Sequence, residues 1–464
     1  MPGSRVDTVV HGGLVVTPSG VVSAAIAIGD GRIVAIGDES MMPDAAESID
    51  VTGKYVFPGL IDAHTHIWSE GFDVTTRAAA YGGVTTTLIF LRGDANDNIF
   101  EVASESKRLA ARQAHLDYGF HVYLFDRPSI IGELEETVKL GIPTFKMFMA
   151  YKKRHMKVSN EFMLRAMQTI KRLGATAMVH AENGEMIDLL EDQAMAADRR
   201  GAEDYYPTRP NVAEAEAVNR AIEFAAYAEC PLYIVHLSSA EGLARIKQAR
   251  DAGLPVSTET CPQYLLLTDD DMRKRGALAK IAPPLRTRND NEALWAGLER
   301  GWIPVLATDH ASYPLDAKEV GRRDIFQAPF GAPGVETLVP LAFSEGIVRR
   351  GLPPSWMAKV LSENPAKIFQ LYPRKGALQP GSDADLVVID PDKRVMLEAR
   401  NLHQAAGYTL FEGWEVRGWP VLSMVRGKVL LKDGQLVQGP GFGEFLHRPL
   451  KSEPSTSLAS HRSS

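Results

Sequence analysis

Apolar positions recur in three textures along the chain. In the first fifty-odd residues, VDTVVHGGLVVTP, AAIAIGDGRIVAIG and SIDVTGKYVFPG alternate β-branched and polar residues. This period of two predicts short strands, with hairpins turning at Gly29-Asp30-Gly31 and at Thr52-Gly53-Lys54. The far end repeats the texture in ADLVVIDPD and PVLSMVRGKVLLKDGQLV, so both ends are expected to pair into one small sheet domain. Between them, FPGLIDAHTH, VTTTLIFL, YGFHVYLF, PTFKMFMA, ATAMVHAE, PLYIVHLS, LPVSTETC and IPVLATDH are short apolar runs. Helical stretches such as NEFMLRAMQTIKRLG, EAEAVNRAIEFAAYAE and SAEGLARIKQARDAG separate several of them, with Gly174 and Gly253 placed as residues that close a helix. Eight strand–helix units predict a (β/α)8 TIM barrel, with catalytic groups at the C-terminal strand ends. A doubly wound open sheet is the alternative, but no glycine-rich phosphate loop follows the first strand. The expected partition is 1–56 and 373–448 for the β-sandwich, 57–372 for the catalytic barrel, and a disordered serine-rich tail over 449–464.

Composition narrows the class without changing this picture. The 464 residues are 45% hydrophobic and 23% charged, an ordinary globular balance. A net charge of -7 argues against a nucleic-acid surface. No apolar run reaches the roughly 18 residues of a membrane span, and the first residues lack a signal-peptide core. Two cysteines, Cys230 and Cys261, cannot build a disulfide framework, which suits a reducing, cytoplasmic setting.

Polar residues at the strand ends carry the chemistry. His64 and His66 are two apart in DAHTH, so an extended backbone points both to one face. His180 ends the fifth strand, His236 the sixth, Asp309 the eighth, and Lys146 interrupts the apolar fourth. Together they are expected to converge on one barrel mouth and to hold two divalent ions about 3.5–4 Å apart. A free ammonium would be repelled there, whereas a lysine amine that has added carbon dioxide becomes a carbamate able to bridge two cations. On this reading His64, His66 and Asp309 hold one ion and His180 and His236 the other, with Lys146 as the bridge. Imidazole and carboxylate ligands favour Zn, with Mn, Co or Fe left open. His121 and His310 are read as structural or supporting residues, Glu259 and Cys261 as serving the fold of the seventh strand end, and the basic run Lys152–His155 as solvated.

The segments DAHTH, FKMFMAYK, HAENG, YIVHLSS, ETCPQYL, PPLR, ATDH, PGVE, ENPAKIFQLYPRKG and GSDADLVV resemble the dihydropyrimidinase and hydantoinase family of cyclic amidohydrolases. The resemblance covers all but the tail. It implies a barrel plus a β-sandwich, two metals bridged by carboxylated Lys146, hydrolytic opening of a small cyclic amide by a bridging hydroxide, and a homo-oligomer, tetramer or dimer. It further implies that Asp309 passes the proton to the leaving nitrogen, and that Tyr151 donates a hydrogen bond to the carbonyl oxygen. Two departures bear on the substrate: Ala282 stands where the family has serine before PPLR, and Phe330-Gly331 stand where it often has Asn-Gly. Trp68 occupies the position of the arginine with which dihydroorotases hold a carboxylate, and Tyr151 is a residue that allantoinases generally lack. The balance favours a neutral cyclic ureide or imide, with allantoinase- or dihydroorotase-like ring opening as alternatives. A collapsin-response-mediator-like scaffold is the non-enzymatic reading. Trp68, Phe72 and the loop from Tyr151 to Met156 are expected to face the ring substituent.

Overall fold

The computed structural model of the protein describes residues 5–450; the predicted tail lies, apart from its first two residues, outside them. All eight middle runs form strands: Leu60–Thr65, Val84–Leu91, Asp117–Tyr123, Thr144–Phe148, Thr176–His180, Leu232–Ile234, Val256–Thr260 and Val305–Leu306. Each pairs in parallel with the next, in sequence order. The first and eighth meet through a bridge between Thr65 and His310, and the His66 N–H donates to the His310 carbonyl at 2.7 Å. Buried Asp62 adds to this closure by accepting from Thr308 N at 3.0 Å and Thr308 Oγ1 at 2.6 Å.

These strands read as continuous apolar runs because both of their faces are buried. Ile61, Leu88, Phe90, Phe148, Met178, Tyr233 and Val305 fill the barrel interior, while Phe120, Phe145, Val179 and Ile234 face the surrounding helices. Three of those helices are Asn160–Arg172, Asn211–Tyr227 and Ala240–Asp251. Gly174 and Gly253 follow two of them at φ +66° and +80°, the left-handed conformation that lets a chain leave a helix.

The chain ends form two facing sheets. One contains only N-terminal strands, in the order Arg32–Gly37, Ala25–Gly29, Val6–His11, Ala45–Asp50; in the other Gly20–Ser23, Leu14–Thr17 and Tyr55–Pro58 lie side by side and the last of them pairs with a block of four C-terminal strands. Val10, Ile26, Ile28, Val56, Leu386, Val388 and Met424 form the shared core of this sandwich. The first expected hairpin is present: Gly29 pairs with Arg32, and Asp30 and Gly31 both take positive φ, as a two-residue turn of this type requires. The second is not a hairpin. Thr52-Gly53-Lys54 carries the chain from Ala45–Asp50 in one sheet to Tyr55–Pro58 in the other, so that Val51 and Val56 both bury in the shared core. Residues 444–448, grouped above with the sandwich, instead reach the barrel. Tyr118 N–H donates to the Glu444 carbonyl, Leu446 enters the barrel core, and buried Arg448 donates to Phe120 O and Thr144 Oγ1. No helix among the described residues is long and apolar enough to cross a membrane.

Barrel and sandwich are joined by a buried ion cluster. Lys375 Nζ lies 2.6 Å from Asp117, at the start of the third barrel strand, and 2.7 and 3.0 Å from Asp385 and Asp383, beside the sandwich strand Leu386–Leu397. Arg426 adds a second contact to Asp117. Removing one charge leaves the others buried without compensation. Lys375→Met is therefore expected to destabilise the protein by about 3–5 kcal/mol, read as a lowered urea midpoint.

Candidate metal centre and cleft

Every strand-end residue singled out above arrives at the same barrel mouth. His64, His66, Lys146, His180 and His236 are all buried, and the Asp309 side chain is 14% exposed. Single atoms of His64, His66 and Asp309 lie within 4.8 Å of one another. Asp309 Oδ1 is 3.0 Å from His64 Nε2 and 3.1 Å from His66 Nε2, and Lys146 Nζ is 3.2 Å from His64 Nε2. Across the mouth, His180 Nδ1 faces His236 Nε2 at 2.9 Å. Local backbone helps to aim these groups: His236 and Asp309, just past their strands, take φ +38° and +51°, and Tyr151 takes φ +71°. Such left-handed conformations are uncommon for residues with a Cβ and turn a side chain out of the strand alternation.

Two buried carboxylates set which nitrogens face inward. Glu259 accepts from His64 Nδ1, from the Tyr233 hydroxyl at 2.8 Å and from His236 N–H at 3.2 Å. Glu182 accepts from His180 Nε2 at 2.8 Å and from Arg209 at 2.7 Å. His64 Nδ1 and His180 Nε2 therefore carry protons, and the opposite nitrogens of these two rings face Asp309 and His236. Burial holds His66 down at about 3 and lowers His180 and His236. His64 differs: burial lowers it, but Glu259 and Asp309 outweigh burial and raise it, so that a proton answers the two carboxylates. Burial would raise Asp309, yet His64 and the hydrogen bonds from both imidazoles keep it well below the usual carboxylate range. Burial brings Lys146 down to about 8, and no carboxylate pairs with it among the described residues. Four imidazoles, one carboxylate and a lysine without a carboxylate partner are a donor set that fits divalent cations.

Above this cluster lies a cleft lined by Trp68, Tyr151, Arg154, Met156, Ala282 and Phe330 as expected, and also by Arg92, Tyr123 and Tyr313. The Tyr151 ring packs 4.8 Å from His180 and 5.4 Å from Phe330. Its hydroxyl meets no partner among the described residues, and burial keeps it protonated, well above the usual phenol range. Trp68 stacks on His66 at 4.2 Å. Phe72, in contrast, does not reach the cleft. It sits on the helix Gly71–Tyr81 with its ring in the core against Tyr118 and Phe120, because that face of the helix packs on the barrel.

The Phe330 wall is fixed from behind by two buried lysines. Lys280 Nζ donates to the carbonyls of Phe326 and Ala328 at 2.9 and 2.7 Å. Lys318 Nζ donates to those of Lys280, Pro329 and Gly331 at 3.2, 2.9 and 2.6 Å. His310 is structural as expected: it pairs with Glu70 at 3.1 Å and accepts from the N–H groups of Gly334 and Val335. Glu259 does more than serve the seventh strand, since it orients His64. Glu182 was findable two residues past His180, and Arg92 directly after the second strand. Arg209, arriving from a long connection, carries no local signal.

The amidohydrolase family model matches residues 55–430. The chain belongs to the amidohydrolase family. This amidohydrolase is 36% identical to a D-hydantoinase of Rhizobium radiobacter over 95% of this chain and 99% of that one. It is 38% identical to an allantoinase of Rubrobacter xylanophilus over 97% and 99%. Among solved structures, it matches a dihydropyrimidinase from Brevibacillus agri with a TM-score of 0.91 at 35% identity, over 96% of this chain and all of that one. Orienting carboxylates of the Glu259 kind typically carry about 10–100-fold of metal affinity. In this amidohydrolase Glu259→Gln is expected to weaken metal retention by about that factor, measured by competition with a chromogenic chelator.

Proposed function

We propose that this amidohydrolase opens a cyclic ureide or imide by metal-dependent hydrolysis of a ring amide bond, as a hydantoinase or dihydropyrimidinase does. The observation that carries the reading is the inward-facing set of imidazole nitrogens around Asp309, beside the unpaired Tyr151 hydroxyl. His64, His66 and Asp309 would hold one divalent ion and His180 and His236 the other, with Zn favoured by the ligand types. Lys146 would join them as a carbamate: its neutral amine adds to carbon dioxide and loses a proton, and burial that brings the amine to about 8 supplies the neutral form. When bound, the ions supply an activated water and polarise the amide carbonyl.

The remaining chemistry belongs to this chain's own side chains. Asp309 takes a proton from the attacking water and returns it to the ring nitrogen as the C–N bond breaks, so one carboxylate serves both halves of the reaction. Tyr151 donates to the carbonyl oxygen as it gains negative charge. Trp68, Met156 and Phe330 give the cleft apolar walls that exclude competing water. Ala282 contributes no hydroxyl, which leaves ring recognition there to main-chain groups. Ring opening of allantoin is the second reading, favoured by the similarity to the Rubrobacter allantoinase; allantoin is itself a hydantoin bearing a ureido arm. The scaffold reading is disfavoured because all six cluster positions and Tyr151 are in place. We further infer a homo-oligomer, tetramer or dimer, and a cytoplasmic setting in keeping with two buried, unpaired cysteines.

The decisive experiment measures ring opening of dihydrouracil, hydantoin, 5-phenylhydantoin, glutarimide, allantoin and dihydroorotate by the Zn- or Mn-loaded protein. Turnover of at least one ring is expected, abolished in Asp309→Asn and by dialysis against a chelator. A protein that carries two ions and opens none of these rings would sink the reading. Tyr151→Phe is expected to lower kcat by about 10²–10³-fold, as loss of one oxyanion donor typically does, with metal content unchanged by elemental analysis.

A further inference from the structure

The rim of the cleft carries a charge pattern that opening of an unsubstituted ring does not use. Among the described residues, Asp309 is the one carboxylate lining the cleft, and it belongs to the metal cluster. Farther out stand two guanidinium groups, Arg92 just past the second barrel strand and Arg154 in the turn after Tyr151. Both side chains are exposed, and neither guanidinium meets a hydrogen-bond or ion-pair partner among the described residues. The protein as a whole is acidic at -7, so a net positive rim is a local feature, not the background of the surface.

Geometry holds the pair toward the substrate. Arg154 lies over the Phe330 ring, 4.2 Å from its centroid. Its turn is pinned by Tyr151, whose carbonyl accepts from both Arg154 N–H at 3.0 Å and Met156 N–H at 3.2 Å. Left-handed residues, Tyr151 and His155 at φ +71° and +56°, bracket this turn, so the backbone that sets the Tyr151 hydroxyl also sets Arg154. Arg92, Arg154 and Tyr313 all line the same cleft. Trp68 lies 6.2 Å from the Tyr313 ring, so the same mouth offers aromatic faces to an arm and cations to its end.

We propose that the preferred substrate is a cyclic ureide whose exocyclic arm ends in a carboxylate, received by Arg92 and Arg154. This rests on the ring-opening reading and adds the substrate class. The ring itself stays neutral, as the cluster requires for attack at its carbonyl; the charge sits at the far end of a short arm. Water adds across the amide bond, the ring nitrogen leaves with a proton, and the new acid ionises, so the product is an N-carbamoyl amino acid with two carboxylates. The carboxylate formed in the reaction arises beside the histidines, leaving the arginines to the one on the arm.

The test compares kcat/KM of the metal-loaded enzyme on 5-(2-carboxyethyl)hydantoin and on 5-(2-carbamoylethyl)hydantoin, which match in shape and differ in charge. The acid is expected to be preferred by about tenfold or more, the scale of one charge-assisted hydrogen bond. That preference should shrink as salt screens the exposed guanidinium groups, and should fall toward unity in Arg92→Gln/Arg154→Gln. As a readout independent of turnover, titration calorimetry should show the opened N-carbamoyl dicarboxylate binding more tightly than its monoamide, with the gap lost in the double variant. Equal use of acid and amide, or a preference that survives the double variant, overturns the arginine assignment and leaves ring opening standing. Failure to open either ring or any neutral ring overturns the ring-opening reading, and this proposal with it.

Discussion

Two buried carboxylates that fix the histidine rings govern this molecule. Glu259 and Glu182, both fully buried, take the outward protons of His64 and His180. The opposite nitrogens then point at a carboxylate oxygen or at another imidazole across about 3 Å, with little water to screen them. In the protein alone shared protons hold this arrangement, among them the one that Glu259 and Asp309 favour on His64. The barrel makes this possible because parallel strands deliver side chains from distant parts of the sequence to one level, and because their apolar flanks supply the rigidity that a cluster of buried polar groups needs.

The two ends of the barrel solve the problem of buried charge in opposite ways. At the strand starts, Lys375 is matched by Asp117, Asp383 and Asp385, and Arg448 by main-chain and hydroxyl oxygens. The Lys375 charge is compensated from within and joins the sandwich to the barrel, and the Arg448 bonds tie the C-terminal segment to it. At the strand ends the donors are left unmatched. Conserving stability at one face thus permits electrostatic incompleteness at the other, where chemistry takes place.

Much of this was legible in the sequence because doubly buried parallel strands must be apolar along their length, so a histidine, lysine or aspartate at their ends stands out against the run. All eight strands and the six-residue cluster were readable on that ground. Phe72 was misplaced because an aromatic residue near a metal motif gives no sign of which helix face packs inward. The turn at Gly53 has the chemistry of a hairpin, but its flanking strands bury more by joining different sheets. Lys152–His155 reads as solvated charge, and for Lys152 and Lys153 it is; Arg154 differs because two left-handed residues fold the turn back over Phe330. Arg209, Lys280 and Lys318 find their partners only through tertiary contact and leave no periodic trace.

The clamp behind Phe330 has a consequence for how the cleft can change. Lys280 and Lys318 hydrogen-bond the segment 326–331 through main-chain oxygens, and Lys280 also lies 4.4 Å from the centre of the Phe330 ring. Every residue offers the same carbonyl, so the path of this wall is insensitive to which side chains it bears. Phe330 can therefore be exchanged for another group while the main-chain bonds stay in place, and the chain acquires a replaceable tile set in a permanent frame. A lineage built on this frame can drift from one ring substituent to another by single substitutions, without disturbing the histidine cluster a few ångströms below.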